Sequence, residues 1–483
     1  MTTHEKTNQI LMAFEQISQI PRCSKHEEKI GAWLEAWARE KEFDVQRDAV
    51  GNVLIRVPAT PGYESAPIVV IQGHMDMVCE KTAGSPHNFD TDPIEFVYEG
   101  GWLKANQTTL GADNGMAIAM SMVLALDKQA QHPPLELLFT VDEETGLTGA
   151  NALDASMIRG RILLNVDSED EGVFTVGCAG GRDTRMALPL EYTNMPGHYA
   201  PFQLKAGGMA GGHSGVQIPE GRANAIKVLA RALHQLLHEI DLRLTYIGGG
   251  TAHNAIPRDA GAILYLPVVE EEHARDLVRQ IEKVIRAEYR HTDPGLFLTL
   301  ESFDQVCDDR AMEEESTRRA IGFLLALPHG VAAMSNDMPG LVETSNNLAN
   351  VKVEDGQMKV LTSQRSSVMS RLNAITHRIE TIANLIGAEA HSSGGYPSWQ
   401  PNMDSPLLAR CLQTYRDLFG REPKVEAIHA GLECGIIGAK APGMDMISFG
   451  PTLKNPHSPD EKVEIESIGM VWDFMLELLK SFR

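Results

Sequence analysis

The sequence predicts an α/β protein in which an open sheet flanked by helices is interrupted by an inserted α+β segment. Three observations predict it. Segments of helical period alternate with short β-branched runs. Histidine and carboxylate residues stand just after several of those runs, where an open α/β sheet presents its reactive groups. That pattern stops near residue 183 and resumes only near 388. At 483 residues the chain is too long for one ordinary core, so two domains are expected: a discontinuous one over 1–183 and 388–483, and an insert over 184–387.

Between Thr7 and Glu42, Ile10, Leu11, Phe14, Ile17 and then Ile30, Trp33, Leu34 and Trp37 recur at helical spacing, with Pro21 as the break. Val53 to Val57 and Ile68 to Ile71 are β-branched strands, the second running into Gly73-His74. The turn residues Asp113-Asn114-Gly115 precede a helical stretch over Met116 to Leu126. Leu135 to Val141 is an apolar strand that ends in Asp142-Glu143-Glu144, and Ile162 to Val166 ends at Asp167. Past Gly180-Gly181 strands are followed by long helices, Arg222 to Ile240 and Glu271 to Tyr289 among them. Asn254 to Tyr289 and Asn347 to Ile386 share one plan of turn, strand and amphipathic helix. Two similar subdomains would leave that pattern, and so would common α+β texture. Tyr396 to Pro406, rich in Pro and Ser, leads back to helical Leu407 to Phe419, glycine-rich Ala430 to Gly438 and the strand Met446 to Phe449, which runs into a final histidine loop.

Composition excludes some partners. Lys plus Arg number 43 against 65 Asp plus Glu, a formal charge of -22, which argues against nucleic acid or an anionic membrane as the main partner. No stretch approaches the roughly 18 apolar residues of a membrane helix, and the start lacks a signal-peptide pattern. Cys23, Cys79, Cys178, Cys307, Cys411 and Cys434 are dispersed without C-x-x-C spacing, so neither a disulfide framework nor a thiolate zinc site is expected. The expected compartment is the cytoplasm.

Taken singly, the polar positions are ordinary. His74-Met75-Asp76 is a common His-x-Asp, whose functional meaning would be an imidazole ligand oriented by a carboxylate. Asp113 could be a turn or cap residue, or a carboxylate bridging two cations. Glu143 and Glu144 could be a solvated acidic loop, or a general base beside a ligand. Asp167 is equally ambiguous, and His457, between Pro456 and Pro459, would by default be a surface histidine. Together they recur in one strand-end context without a thiolate, a donor set that suits zinc, cobalt or manganese. Two such ions about 3.5 to 4 Å apart would acidify a water and polarise a carbonyl, and amide hydrolysis is the obvious use.

These residues, with Ile20-Pro-Arg-Cys-Ser24, Gly73 to Met77, Leu110 to Gly115, Asp142 to Gly146, Asn165 to Asp170, Ala210-Gly-Gly-His-Ser-Gly215 and Pro456 to Glu461, resemble the di-zinc metallopeptidases of the clan that includes carnosinases, aminoacylases and glutamate carboxypeptidases. Within it the likeness runs to the bacterial branch that cleaves Xaa-His dipeptides, and it covers nearly the whole chain. The resemblance implies a zinc-peptidase catalytic domain with an inserted lid. It implies two Zn2+ per chain, replaceable by Co2+ or Mn2+: His74 and Asp167 on one, Glu144 and His457 on the other, Asp113 bridging both. Asp76 would orient His74, and Glu143 would take the proton of the attacking water and deliver it to the leaving amine. In the lid, His213 would donate to the tetrahedral oxyanion, a contribution worth about 3 kcal/mol of barrier. Asn254 would contact substrate, and Arg365 would grip the terminal carboxylate, a structural salt bridge being its competing reading. Gly431 and Glu433 would face the substrate. The implied partners are a small peptide and a second copy of the chain, dimerised through the lid.

Three functions fit this pattern: a dipeptidase acting on Xaa-His, β-alanyl-histidine included; an N-acyl amino acid deacylase or tripeptide aminopeptidase with the same chemistry; and a non-catalytic zinc-binding protein, against which Glu143 speaks.

Overall fold

The computed structural model describes residues 5–303 and 309–483. They form two units, the first over Met1–Cys178, Trp399–Ala427 and Leu432–Arg483, the second over Ala179–Ser398 and Ile428–Gly431. The second unit reaches beyond 184–387 because the strands Gly180–Pro189 and Glu389–Tyr396 pair with each other inside its sheet.

The first unit is built on a mixed sheet of eight strands: β1 (Asp44–Arg47), β2 (Val53–Val57), β3 (Val69–His74), β4 (Leu135–Thr140), β5 (Ile162–Asn165), β6 (Val173–Cys178), β7 (Lys424–Ile428) and β8 (Asp445–Ser448), in the order β1-β2-β4-β3-β5-β8-β6-β7. β4, β3, β5 and β8 run parallel, whereas β1 pairs β2, and β2 pairs β4, antiparallel. Every residue of β3 and β4 is buried, Gln72, His74, Glu136 and Thr140 included, as in strands covered on both faces. The parallel strands therefore deliver the chain after His74, Thr140, Asn165 and Ser448 to one edge of the sheet.

Helices α1 (Glu5–Ser18) and α2 (Glu28–Glu40) bury Ile10, Leu11, Phe14 and Ile17, then Ile30, Leu34 and Trp37 of the stripe the periodicity predicts, and leave Trp33 half-buried. α3 (Ala112–Leu126) packs on β3 and α1. It begins before Met116, but Asp113 and Asn114 depart from helical φ/ψ, so the regular helix starts beyond them. α4 (Glu143–Gly146) is a single turn, flanked by Asp142 and Leu147 at positive φ. α5 (Pro406–Phe419) and α6 (Ile465–Lys480) pack together, and α6 also meets α1. No helix among the described residues is long and apolar enough to cross a membrane.

One expectation is overturned. Cys23 and Cys79 form a disulfide with Cα atoms 5.6 Å apart, a separation normal for such bonds. The partners are 56 residues apart, and only the return of the chain past β3 brings them together, so spacing arguments could not see the pair. Cys178, Cys411 and Cys434 are free and buried; Cys307 lies outside the described residues.

The second unit is an antiparallel sheet in the order Phe297–Ser302, Tyr199–Gly207, Ala260–Pro267, Arg243–Gly249, Val342–Glu354, Gln357–Ser366, Gly180–Pro189, Glu389–Tyr396, with Gly330–Met334 alongside Val342–Glu354. Helices Ala225–Glu239, Glu271–Glu288, Glu314–Ala326 and Met369–Leu385 supply its core with Leu229, Leu233, Val278, Ile281, Phe323 and Ile379. Each half of this sheet has the strand-helix-strand-strand-helix-strand plan of a ferredoxin-like unit, and the halves meet through their second strands, Arg243–Gly249 and Val342–Glu354. The strand plus helix over 260–288 and that over 357–385 hold equivalent places in the two halves.

Candidate metal centre

His74 closes β3 and is 1% exposed. Its Nδ1–H donates to Asp76 Oδ1 at 3.1 Å, which leaves Nε2 as the free ring nitrogen. Nε2 lies 2.9 Å from Asp113 Oδ1 and 3.4 Å from Asp167 Oδ1. Asp76 also accepts the backbone N–H of Glu143 and of Glu144, at 3.0 and 3.2 Å, so one carboxylate orients the histidine and anchors the acidic turn after β4. Burial works against the Asp76 charge, but the bond from His74 and the Glu143 N–H hold its pKa down at about 2.

Asp113 sits between two histidines. Its Oδ1 faces His74, and its Oδ2 lies 3.3 Å from His457 Nε2. That same Nε2 is 3.0 Å from Glu144 Oε2. Two sets of donor atoms thus meet at one carboxylate, His74 with Asp167 on one side and His457 with Glu144 on the other. Asn114 secures the turn, its amide donating to Val166 O at 2.6 Å while its Oδ1 accepts the His74 N–H at 3.2 Å. The turn comes so close to β3 that a Cβ on Gly73 would lie 2.1 Å from Asn114 Oδ1, which is why glycine precedes His74.

The electrostatics are those of a cation site. Burial alone would lower the His74 pKa, yet Asp167, Asp113 and Asp76 raise it well above the ordinary value. Bonds to Asp113 and Glu144 push His457 up to about 11. Burial opposes the Asp113 charge, but His457 and His74 hold its pKa well below the carboxylate range. In each case a proton is held where several acidic oxygens converge on nitrogen. Glu144 Oε1 is buried without a hydrogen-bond partner, as a ligand oxygen facing a cation would be. The donor set of imidazole nitrogen and carboxylate oxygen fits zinc, cobalt or manganese.

Glu143 is raised well above the ordinary glutamate value, first by burial and then by Asp167, Glu433 and Glu144, against the opposing effect of His74. A carboxyl raised in this way holds a proton more readily than a free glutamate, as a group that accepts and then returns one must. Glu433, 1% exposed, accepts from Gln72 Nε2 at 2.6 Å and Thr140 Oγ1 at 2.7 Å. It therefore stands on β3 and β4 next to Glu143, and burial raises it to about 7.

The remaining expected residues lie in the second unit. His213 Nδ1 accepts the N–H of Gly215 and of Val216, at 3.2 and 3.1 Å. The imidazole is thereby fixed as the tautomer with a proton on Nε2, and burial, Arg365 and His253 lower its pKa. Asn254 is exposed, and its carbonyl accepts the Ser214 N–H at 2.8 Å. Arg365, 6% exposed, donates from Nη1 to Tyr396 Oη at 2.8 Å and keeps a buried Nε without a partner. A Cβ on Gly431 would lie 2.6 Å from the Tyr396 ring, so glycine here admits that ring.

Some residues at the first unit's centre escaped sequence reasoning. Arg22 and Glu461 lie inside the motifs Ile20 to Ser24 and Pro456 to Glu461, but neither stands after one of the apolar strands that mark the other residues. Glu27, which accepts the Asp142 N–H at 3.0 Å, and Asp142 form with Asp76 a second, fully buried acidic group.

Residues 70–481 match the family described as peptidase family M20/M25/M40. The chain is 41% identical over 468 residues to a protein of Escherichia coli (strain K12) named cytosol non-specific dipeptidase, covering 97% of this chain and 96% of that protein. Its structure is similar to that of an aminoacylhistidine dipeptidase from Vibrio alginolyticus, with TM-score 0.92 and 40% identity over 99% of this chain and 97% of that one. An aminopeptidase from Bacillus cereus shares the fold at TM-score 0.56 and 15% identity, over 99% of this chain and 98% of that one.

Proposed function

The chain belongs to peptidase family M20/M25/M40 and is a hydrolase acting on peptide bonds, and we propose that it is a di-metal dipeptidase that accepts Xaa-His dipeptides, β-alanyl-histidine among them. The observation that carries the reading is the placement of His74 Nε2 and His457 Nε2 on opposite oxygens of Asp113. His74, Asp167 and Asp113 would hold one ion; Glu144, His457 and Asp113 would hold the other. Two zinc ions bound there would supply Lewis acidity to the scissile carbonyl and acidity to the attacking water.

The protein's own groups supply the proton path. Glu143 takes the proton of the attacking water, retains it because burial among acids favours the neutral carboxyl, and returns it to the leaving amine. Asp76 fixes the His74 tautomer while tethering the backbone of Glu143, so that base and ligand keep one register. His213, with its proton on Nε2, is suited to donate to the oxyanion. Arg365 is suited to a substrate carboxylate, since its buried Nε still requires a partner. Asn254 is proposed as a substrate contact, with Gly431 and Glu433 as lesser ones.

The E. coli relative's name supports a cytosolic location. The names of the two similar dipeptidases support a broad dipeptide range that includes histidine at the second position. Dimerisation through the second unit belongs to the proposal and is measured by sedimentation.

The test is hydrolysis of alanyl-histidine, β-alanyl-histidine, alanyl-alanine, a tripeptide and an N-acetyl amino acid, by zinc-loaded and chelated enzyme and by Glu143→Ala. Chelator-sensitive cleavage confined to dipeptides is the expected result. Cleavage mainly of the tripeptide or the acetyl compound would overturn the dipeptidase reading in favour of the aminopeptidase or deacylase. Activity retained by Glu143→Ala would overturn the mechanism.

A further inference from the structure

Two sequence motifs, Ile20 to Ser24 and Pro456 to Glu461, contain residues that the reaction above leaves without a role. Glu461 is 2% exposed, and its carboxylate accepts four consecutive backbone N–H groups: Oε2 from Leu110 at 2.7 Å and Gly111 at 2.9 Å, Oε1 from Ala112 at 2.9 Å and Asp113 at 3.3 Å. A carboxylate has about four lone-pair sites, and here all four are occupied by the turn that carries Asp113. Glu461 is therefore no ligand for a metal or a substrate. Those N–H groups, buried at the entry to α3, would otherwise lack partners.

Arg22, also 2% exposed, performs the complementary task on carbonyl groups. Its Nη1 donates to Met75 O and Asp76 O, each at 3.0 Å, and its Nη2 donates to Gly111 O. The fit is tight. A Cβ on Gly111, which has φ +69°, would lie 2.5 Å from Nη2, and one on Gly115 would lie 2.8 Å from it.

Glu461 follows His457 by four positions, so the loop that brings one histidine also clamps the turn of Asp113. Arg22 ties that same turn to the His74-Met75-Asp76 segment. We propose that Arg22 and Glu461 are positioning residues that fix the Asp113 carboxylate between His74 and His457, and so set the affinity and geometry of the paired metal site. The inference rests on the di-metal reading above. It assigns the two residues no contact with substrate or reacting atoms. A carboxylate shared by two ions must present each oxygen in a set direction, and its side chain can do so only if its backbone cannot turn.

The experiment uses full-length Glu461→Gln and Arg22→Lys, with Glu136→Gln as a matched control. Glu136 is likewise 2% exposed and accepts the N–H of Arg159 and Gly160, but it stands at the amino end of β4. The readouts are zinc stoichiometry and affinity, by competition with a chromogenic chelator, and the visible absorption of the Co2+-substituted protein. Glutamine offers one acceptor oxygen and turns an amide N–H2 towards N–H donors, and lysine cannot span three carbonyls. Both variants should bind at least one of two zinc ions about 10- to 100-fold more weakly, with an altered cobalt spectrum. Glu136→Gln should lose thermal stability only. If Glu461→Gln does not fold, Arg22→Lys carries the same readouts. Zinc affinity within about twofold of wild type and an unchanged cobalt spectrum in the folded variants would overturn the proposal. Wild-type protein that takes up fewer than two zinc ions would overturn the di-metal reading itself, and this inference with it.

Discussion

Both units bury histidines, and His74 in the first is treated in the opposite way from His329 and His429 in the second. In the first, burial would drive His74 towards the neutral form, but Asp167, Asp113 and Asp76 reverse that and raise its pKa well above the usual value. In the second, burial is reinforced by basic side chains: His429, beside Arg365, falls to about 3, and His329, beside Lys227, also falls to about 3. The desolvation penalty has the same sign in both, so the partners decide the outcome. One unit gathers carboxylates around imidazole nitrogen, as a site for cations does. The other keeps its imidazoles neutral beside basic side chains, His429 next to Arg365 with its Nε2 2.7 Å from Ser345 Oγ, and His329 next to Lys227 with its Nδ1 3.2 Å from the Asn224 amide.

The sharpest break of this comparison is Glu143→Ala in the first unit. It should cut kcat by about 10²- to 10⁴-fold, the usual share of a general base, without releasing metal; bound zinc and peptide turnover measured on one sample check it. Next comes the disulfide, which belongs to the first unit. Closing a loop of 56 residues should stabilise that unit by about 4 kcal/mol in the chain-entropy account. Scanning calorimetry with and without reductant should show the first unit weakened and Cys23→Ser matching the reduced protein; equal traces would remove the bond from the energetics. A disulfide is unusual in a reducing compartment, so thiol trapping from cells would report the state the pair holds there.

The pH dependence sharpens the contrast in the second unit. An unfolded chain protonates His329 and His429 as pH falls through about 6.5, whereas the folded unit resists until about 3. The stability each contributes is therefore present above 6.5 and is lost as pH falls towards 3, on the order of 4 kcal/mol for each group. Acid unfolding followed by circular dichroism should lose part of its slope in this window when His329 is changed to Gln, the share of His429 remaining; an unchanged slope would clear His329 of the effect. The smallest expected effect is that of His213→Ala, which should reduce kcat by roughly 10²-fold with zinc content unchanged, as removal of one oxyanion donor does. A change confined to KM would make His213 a binding group instead.

Much of the first unit's centre was legible because its signal is local. His74, Glu143, Glu144 and Asp167 stand within a few residues of strands β3, β4 and β5, and parallel strands open at one edge whatever their order. Asp113 was legible through its turn residues. Arg22 was not, since its partners Met75, Asp76 and Gly111 are 53, 54 and 89 residues away. Glu461, whose four donors lie about 350 residues earlier, escaped for the same reason. The second unit's sheet was only half readable. The strand Gly180–Pro189 precedes the whole of the other half of the sheet, yet it pairs with Gln357–Ser366 and Glu389–Tyr396.

By itself the sequence determined which residue types stand at the strand ends, because hydrophobic period and turn chemistry act over a few residues and survive in any tertiary setting. It also determined the donor chemistry of the site, imidazole and carboxylate without thiolate. Only the tertiary structure decided that Asp113 would present one oxygen to each histidine, that Cys23 would meet Cys79, and that Arg22 and Glu461 would brace the turn of Asp113. Those outcomes depend on directions and distances between segments dozens to hundreds of residues apart. Such geometry is fixed by loop closure and core packing, which leave no periodicity in the sequence to read.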